Sequence, residues 1–260
     1  METSTLDARP TFGSLFAGIG GLDLGLERAG WRCAWQVEID DYAKRVLAKH
    51  WPDVPKWDDV RTFPPAGDWS VDLIAGGFPC QPFSSAGKRR GTNDKRWLWP
   101  EFARVIRVLR PRFVFVENVP GLLDRGLRYV LGDLADIGFD AEWQVLPAAA
   151  FGAPHARHRV WIVAYAQHPD THCKRLHRAG ADAARQSGKV QPRYEQGRIF
   201  GSVGEALPRS ILGSWWETEP RVGRLANGVS SRLDRLRGLG NAVVPQVAEW
   251  IGRRIIEWSE

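Results

Sequence analysis

Val71-Asp72-Leu73-Ile74-Ala75-Gly76-Gly77-Phe78-Pro79-Cys80-Gln81-Pro82-Phe83-Ser84 is the stretch whose reading decides the fold. Its apolar, partly β-branched start predicts a buried strand over 71–75, and the two glycines end that strand while admitting close backbone approach. Pro79 and Pro82 fix their own φ and bias Phe78 and Gln81 toward extended geometry. Cys80 is therefore expected on a stiff loop at the carboxyl end of a strand, where open α/β sheets bind ligands. A structural cysteine belongs more naturally inside the apolar run. Taken alone, the stretch suits a reactive thiol and a structural one about equally.

The flanking sequence repeats the strand–turn–helix pattern. Upstream, a short strand from Phe12 to Phe16 enters Ala17-Gly18-Ile19-Gly20-Gly21 and then a helix from Leu22 to Ala29, stopped by Gly30. Such a glycine turn at a helix start is either a tight turn or a cradle of backbone N–H groups for a cofactor. It is not the dinucleotide fingerprint, whose third glycine position holds Asp23 here. A second strand, Cys33 to Val37, ends at Glu38, well placed to hydrogen-bond ribose hydroxyls. Trp57-Asp58-Asp59-Val60 offers an acid and an apolar face suited to adenine, or a solvated loop acid.

Downstream, Ser84 to Arg96 carries Lys88, Arg89, Arg90, Lys95 and Arg96, a basic loop suited to phosphates or simply to solvent. An amphipathic helix is predicted over Leu98 to Leu109 and a buried strand over Phe113 to Val116, with Glu117-Asn118-Val119 at its end. A helix over Leu127 to Ile137 and a strand over Ala141 to Leu146 follow. Continuous apolar strands alternating with helices argue for a parallel sheet covered on both faces. In Phe151-Gly152-Ala153-Pro154-His155-Ala156-Arg157-His158-Arg159, extended geometry would put residues 155, 157 and 159 on one face, with Arg157 and Arg159 side by side. The last helix is predicted from Pro245 to about Trp258, with Val247, Ile251 and Ile255 on its apolar face.

From about Gln167 to Pro220 apolar periodicity fades and basic residues gather, which suggests an insertion that meets an anion. His168, His172, Cys173 and His177 lie there, but their spacing matches no familiar zinc pair, so no metal is expected. A net charge of +6 and a pI of about 9.5 favour polyanionic partners. Three cysteines far apart in sequence argue against a disulfide framework. No run approaches the roughly 18 apolar residues of a membrane span, and the N-terminus lacks signal-peptide features, so a cytoplasmic protein is expected. Trp97, Trp99 and Trp215-Trp216 lie in polar surroundings, where base stacking competes with packing.

Five of these pieces together carry a resemblance. Phe16-Ala17-Gly18-Ile19-Gly20-Gly21, Pro79-Cys80-Gln81, Glu117-Asn118-Val119, Arg157-His158-Arg159 and Gly240-Asn241-Ala242-Val243-Val244-Pro245 follow one another as in DNA (cytosine-5) methyltransferases of bacterial and phage type, which the chain resembles from residue 12 to 250. The resemblance implies a Rossmann-like sheet with helices on both faces. Residues 1–166 would be catalytic, 167–222 a small inserted target-recognition region, and 223–260 a return to the catalytic domain. It implies S-adenosylmethionine as cofactor, with Phe16, Gly18 and Gly20 at the methionine end and Glu38 on the ribose. Ile39, Asp59 and Val60 would frame the adenine, and Leu98 and Asn241 would complete the pocket. Cys80 becomes the nucleophile that adds to cytosine C6, Glu117 the acid at N3, Arg157 the group that orients Glu117 or the base, and Arg159 a contact to phosphate or the Cys80 loop. Pro79, Gln81, Ser84, Lys88, Arg89 and Arg90 would meet the DNA.

His155 departs from the glutamine often found there in the family, and Ile39 from the aromatic that commonly follows the acid. The implied partner is double-stranded DNA bound by a monomer that flips its target base. A separate restriction endonuclease is the usual companion of such enzymes. A tRNA methyltransferase of similar architecture is the nearest alternative, though no Cys-Phe-Thr tripeptide occurs here. A non-catalytic DNA-binding regulator is the other.

Overall fold

The computed structural model describes residues 9–79, 97–167, 199–200 and 238–259. Cys80, Gln81, Ser84, the basic loop, the His168–His177 group, Trp215, Trp216 and almost all of the expected target-recognition region lie outside the described residues.

The chain alternates strands and helices: β1 Thr11–Leu15, α1 Gly21–Arg28, β2 Arg32–Val37, α2 Asp41–His50, β3 Lys56–Trp57 and β4 Leu73–Gly76. It continues through α3 Trp99–Leu109, β5 Phe113–Asn118, α4 Leu122–Arg125, α5 Leu127–Ile137, β6 Phe139–Pro147, β7 His158–Ala166 and α6 Pro245–Ser259. The strands form one sheet in the order β3-β2-β1-β4-β5-β7-β6. It is parallel from β3 to β5. β7 runs antiparallel to both β5 and β6, so the sheet is mixed rather than wholly parallel. The reason is the short link between β6 and β7: a parallel return needs a crossover of a dozen or more residues, usually a helix, and 148–157 holds only a 3₁₀ turn at Ala148–Phe151.

Two apolar layers cover the sheet. On one face, α3 (Phe102, Val105, Ile106) and α5 (Val130, Leu134) pack on Leu15, Ile74, Val114 and Val116. On the other, α1 (Leu22, Leu26) and α6 (Val247, Ile251, Ile255) pack on Phe12, Leu73, Phe115 and Trp161. Small residues let α1 and α6 approach closely: a Cβ on Gly25 would lie 2.4 Å from the Pro245 carbonyl, and one on Gly252 2.9 Å from Ala29 Cβ. This contact seats 245–259 against the first βα unit. Trp99, expected among polar neighbours, is instead fully buried and donates its indole N–H to Asp133 at 2.7 Å. It opens the amphipathic face of α3, and burial of one aromatic stabilises by about 2–3 kcal/mol.

The chain leaves β1 toward β2 and β3 on one side of the sheet, then returns through β4 to β5 on the other. β1 and β4 are thus neighbours at the point where strand order reverses, and their carboxyl ends border the crevice where such sheets bind ligands. The glycine turn follows β1, and the segment that leads to Cys80 follows β4.

Candidate active site

The β1–α1 turn carries positive φ at Phe16 (55°), Gly18 (58°) and Gly20 (82°). Phe16 is a non-glycine residue in left-handed geometry, and its ring is stacked on Phe102 with centroids 6.3 Å apart. Open space faces the position of a Gly18 Cβ, whereas a Cβ on Gly20 would strike the Trp51 ring at 2.4 Å. Glu38 ties this turn to the end of β2: Gly18 N donates to Oε2 and Asp40 N to Oε1, both at 2.7 Å. Asp40 in turn caps α2, accepting from the backbone N–H groups of Tyr42 and Ala43. Ile39 beside it is 61 % exposed, an uncovered apolar side chain at the crevice rim.

Val60 is buried, and the 60–63 turn is held by Arg104 of α3, whose guanidinium donates to the carbonyls of Val60 (2.7 Å) and Phe63 (3.2 Å). Asp59 is bound by Arg61 through both carboxylate oxygens, which holds its carboxyl below the usual range. Leu98 stands at the N-terminal boundary of α3 without a capping side-chain hydrogen bond, and Asn241 is exposed on a helical turn over 238–241. A separate cavity of about 430 Å³ lies on the α1 side of the glycine turn, lined by Ile19, Gly21, Leu24, Trp51 and Val243. Of the cofactor residues expected from sequence, Gly20 alone lines it.

At the end of β4 the segment 77–79 is tightly held. Phe78 is buried against Trp97 and Trp99, with centroids 5.3 and 5.5 Å apart. Asn118, buried in β5, donates its side-chain amide to the Phe78 carbonyl at 3.1 Å. Its two neighbours in sequence, Glu117 and Val119, belong to the same tripeptide, so one motif both supplies a carboxyl and braces the approach to Cys80. A Cβ on Gly77 would sit 2.9 Å from Glu117 Oε2, so the glycine makes room for the acid.

Glu117 lies within β5, opposite Trp161 of β7, and is 9 % exposed. Arg159 Nε lies 3.0 Å from its Oε1. Burial pushes the Glu117 carboxyl up, against the downward pull of Arg159 and then Arg157. Arg159, rather than Arg157, is thus the arginine that holds Glu117. The reason is local geometry. Arg157 has φ 33° and precedes β7, so the alternation of an extended segment does not pass through it. Its guanidinium turns to the carbonyls of Gly240 (3.1 Å) and Ala242, on either side of Asn241. It braces the segment expected to complete the cofactor pocket.

Glu117, Arg157 and Arg159 do meet around one small cavity, together with Trp161, Leu146, Ala148, Val244 and Val247. Sequence reasoning missed Trp161, although a period of two from Arg159 puts it on the same face. It also gave no role to Asn118 or Arg104. Among the described residues no cluster of His, Cys, Asp or Glu could hold a metal ion, and no helix is long and apolar enough to cross a membrane.

Comparison with known proteins matches this geometry to a family. A family model described as C-5 cytosine-specific DNA methylase matches residues 11–207. The chain is 40 % identical over 156 residues to the Type II methyltransferase M.NgoMIV of Neisseria gonorrhoeae, covering 57 % of this chain and 49 % of that one. It is 40 % identical over 161 residues to M.Eco47II of Escherichia coli, covering 58 % and 38 %. The chain therefore spans about half or less of the curated relatives it matches. Among solved structures, one described as a DNA modification methyltransferase encoded within an E. coli prophage has a TM-score of 0.52 at 29 % identity, covering 60 % of this chain and 47 % of that one. A Spodoptera frugiperda DNMT2 mutant, at 24 % identity and a TM-score of 0.53 over 64 % and 53 % of the two chains, shares the fold. With the family model covering most of the sequence and the strand-end constellation in place, the chain belongs to the C-5 cytosine-specific DNA methylase family.

Proposed function

We propose that the protein is a sequence-specific DNA cytosine-5 methyltransferase that uses S-adenosylmethionine. The observation that carries the reading is the buried Glu117, braced by Arg159 and abutting Gly77, three residues before Cys80. This arrangement would deliver a nucleophile and an acid to one crevice from adjacent strand ends.

The β1–β2 side fits the cofactor. Gly18 leaves open space at a left-handed turn, and Glu38 keeps lone pairs for ribose hydroxyls beyond its two backbone bonds. Ile39 and Val60 supply apolar faces for a purine ring, and Arg157 steadies the carbonyls that flank Asn241. When bound, the cofactor supplies a methyl group on a sulfonium, an electrophile that cytosine C5 alone is too weak a nucleophile to accept. The Cys80 thiolate would add to C6 and make C5 enamine-like. Glu117, whose hold on a proton is strengthened by burial, would donate to N3 as negative charge develops on the ring. After C5 has gained the methyl group, loss of the C5 proton to water, elimination of the thiolate and return of the N3 proton to Glu117 would release 5-methylcytosine. The target base must leave the duplex to reach both groups.

The Type II relatives support a modification role beside a partner endonuclease, with residues 167–222 reading the target sequence. Bisulfite sequencing of plasmid DNA from cells expressing the wild type and Cys80→Ala tests the reading. Protected cytosines within one short motif, absent in the variant, are expected. No protection with the wild type, while tRNA takes up methyl groups in vitro, would overturn it.

A further inference from the structure

Beside Glu117, two hydrogen-bond donors are buried without use among the described residues. The indole Nε1–H of Trp161 and the Nε–H of Arg157 find no partner among the described residues. Trp161 is 1 % exposed, and leaving such a donor unpaired costs about 1–3 kcal/mol. Both side chains line the small cavity that Glu117 also lines. Its volume is about 10 Å³, close to the room one buried water occupies. A buried water needs two to four polar partners, and here three groups converge, two donors and one carboxyl.

The charges narrow the occupant further. An anion would face the Glu117 carboxyl, and a cation would face Arg157 and Arg159. A neutral molecule that accepts twice and still donates suits all three groups, and the space admits nothing larger than water. We propose that this cavity is a binding site for one water molecule, which accepts from Trp161 Nε1–H and Arg157 Nε–H and donates to the Glu117 carboxyl. Trp161 is then a positioning residue, acting on the acid through the water. The site stands on the geometry alone; its kinetic consequence rests on the acid role proposed for Glu117.

That consequence has a sign. A water whose lone pairs are taken by two donors directs its hydrogens at Glu117 and favours the ionised form. Removing the indole N–H weakens this support and lets the carboxyl hold its proton to higher pH. Trp161→Phe keeps an aromatic ring in the layer with Phe115, its stacked neighbour at 5.5 Å.

Crystal structures of the full-length wild type and of Trp161→Phe, at a resolution that shows ordered water, test the site. A density peak within hydrogen-bonding distance of Trp161 Nε1, Arg157 Nε and Glu117 is expected in the wild type and not in the variant. An empty cavity in the wild type, protein partners on both donors, or a peak that persists in the variant would overturn the proposal. Single-turnover methylation supplies the second readout: the alkaline limb of the variant should lie about 0.5–1 pH unit above that of the wild type, the shift one hydrogen bond corresponds to. An unmoved limb beside a confirmed water would count against the role of Glu117 as the acid, not against the site.

Discussion

Two buried carboxyls in this molecule have opposite surroundings. Glu117 sits at a strand end with a guanidinium on one oxygen and glycine beside the other. Asp23, fully buried under the first βα unit, is bound among the described residues by two neutral donors, Ser14 Oγ at 2.6 Å and Gln36 Nε2 at 2.7 Å. Burial pushes the Asp23 carboxyl up to about 6, and neither hydrogen bond brings it back. The comparison teaches that burial alone does not make an acid functional. Among the described residues Asp23 has no cation on it, its charged neighbour Glu27 adds to the upward push, and it fastens β1, α1 and β2 together. Glu117 combines burial with a cation and an opening to the ligand crevice.

The comparison breaks first at Glu117. Glu117→Gln keeps the shape and removes the proton donor, so single-turnover methyl transfer should fall by about 10²- to 10⁴-fold with DNA affinity little changed. A wild-type rate would place Glu117 in the same purely structural class as Asp23. Next comes the cation. Arg159→Gln leaves a buried carboxyl without its partner and should destabilise by about 3–5 kcal/mol in urea titrations at alkaline pH. The loss should shrink toward acid pH, where Glu117 can bind a proton; equal losses at both would remove the ion pair from the account.

Asp23 gives the converse. Its folded pKa lies above its unfolded value of 3.8, so its contribution is most favourable below that value and declines as pH rises to about 6. The decline amounts to about 3 kcal/mol. Asp23→Asn should remove that slope from stability measured between those pH values, and Gln36 Oε1, buried without a partner among the described residues, can accept from the new amide. Activity should be unaffected, and a large loss of rate would erase the distinction between the two acids. The smallest effect is expected at Gly77→Ala, whose Cβ would press on Glu117 Oε2. A roughly tenfold lower kcat at unchanged cofactor affinity is expected, about 1.4 kcal/mol.

Much of this was legible in the sequence where the signal is local. The apolar spacing of Val247, Ile251 and Ile255 predicts the buried face of α6, and all three are fully packed. The glycine turn and the strand ends at Glu38 and Glu117 follow from apolar runs stopping at polar or glycine residues. Legibility ends where partners come from afar. The antiparallel insertion of β7 between β5 and β6 is a pairing between distant segments, invisible to periodicity. Asp23 reads as an ordinary first-turn helix acid, and only the packing of α1 shows that it is buried. That Arg159 rather than Arg157 pairs with Glu117 turns on one left-handed residue, which no pattern of side chains announces. Asp59 is a different case: its partner Arg61 is only two residues on, and that pairing competes with the adenine contact expected of Asp59.

The most direct test of the acid role is the pH dependence of single-turnover methyl transfer to duplex DNA, from about pH 5 to pH 9, for the wild type and Glu117→Gln. The account predicts an alkaline limb in the wild type, as the carboxyl loses its proton, and a slower rate without that limb in the variant. An alkaline limb of the same position and depth in both proteins would contradict it.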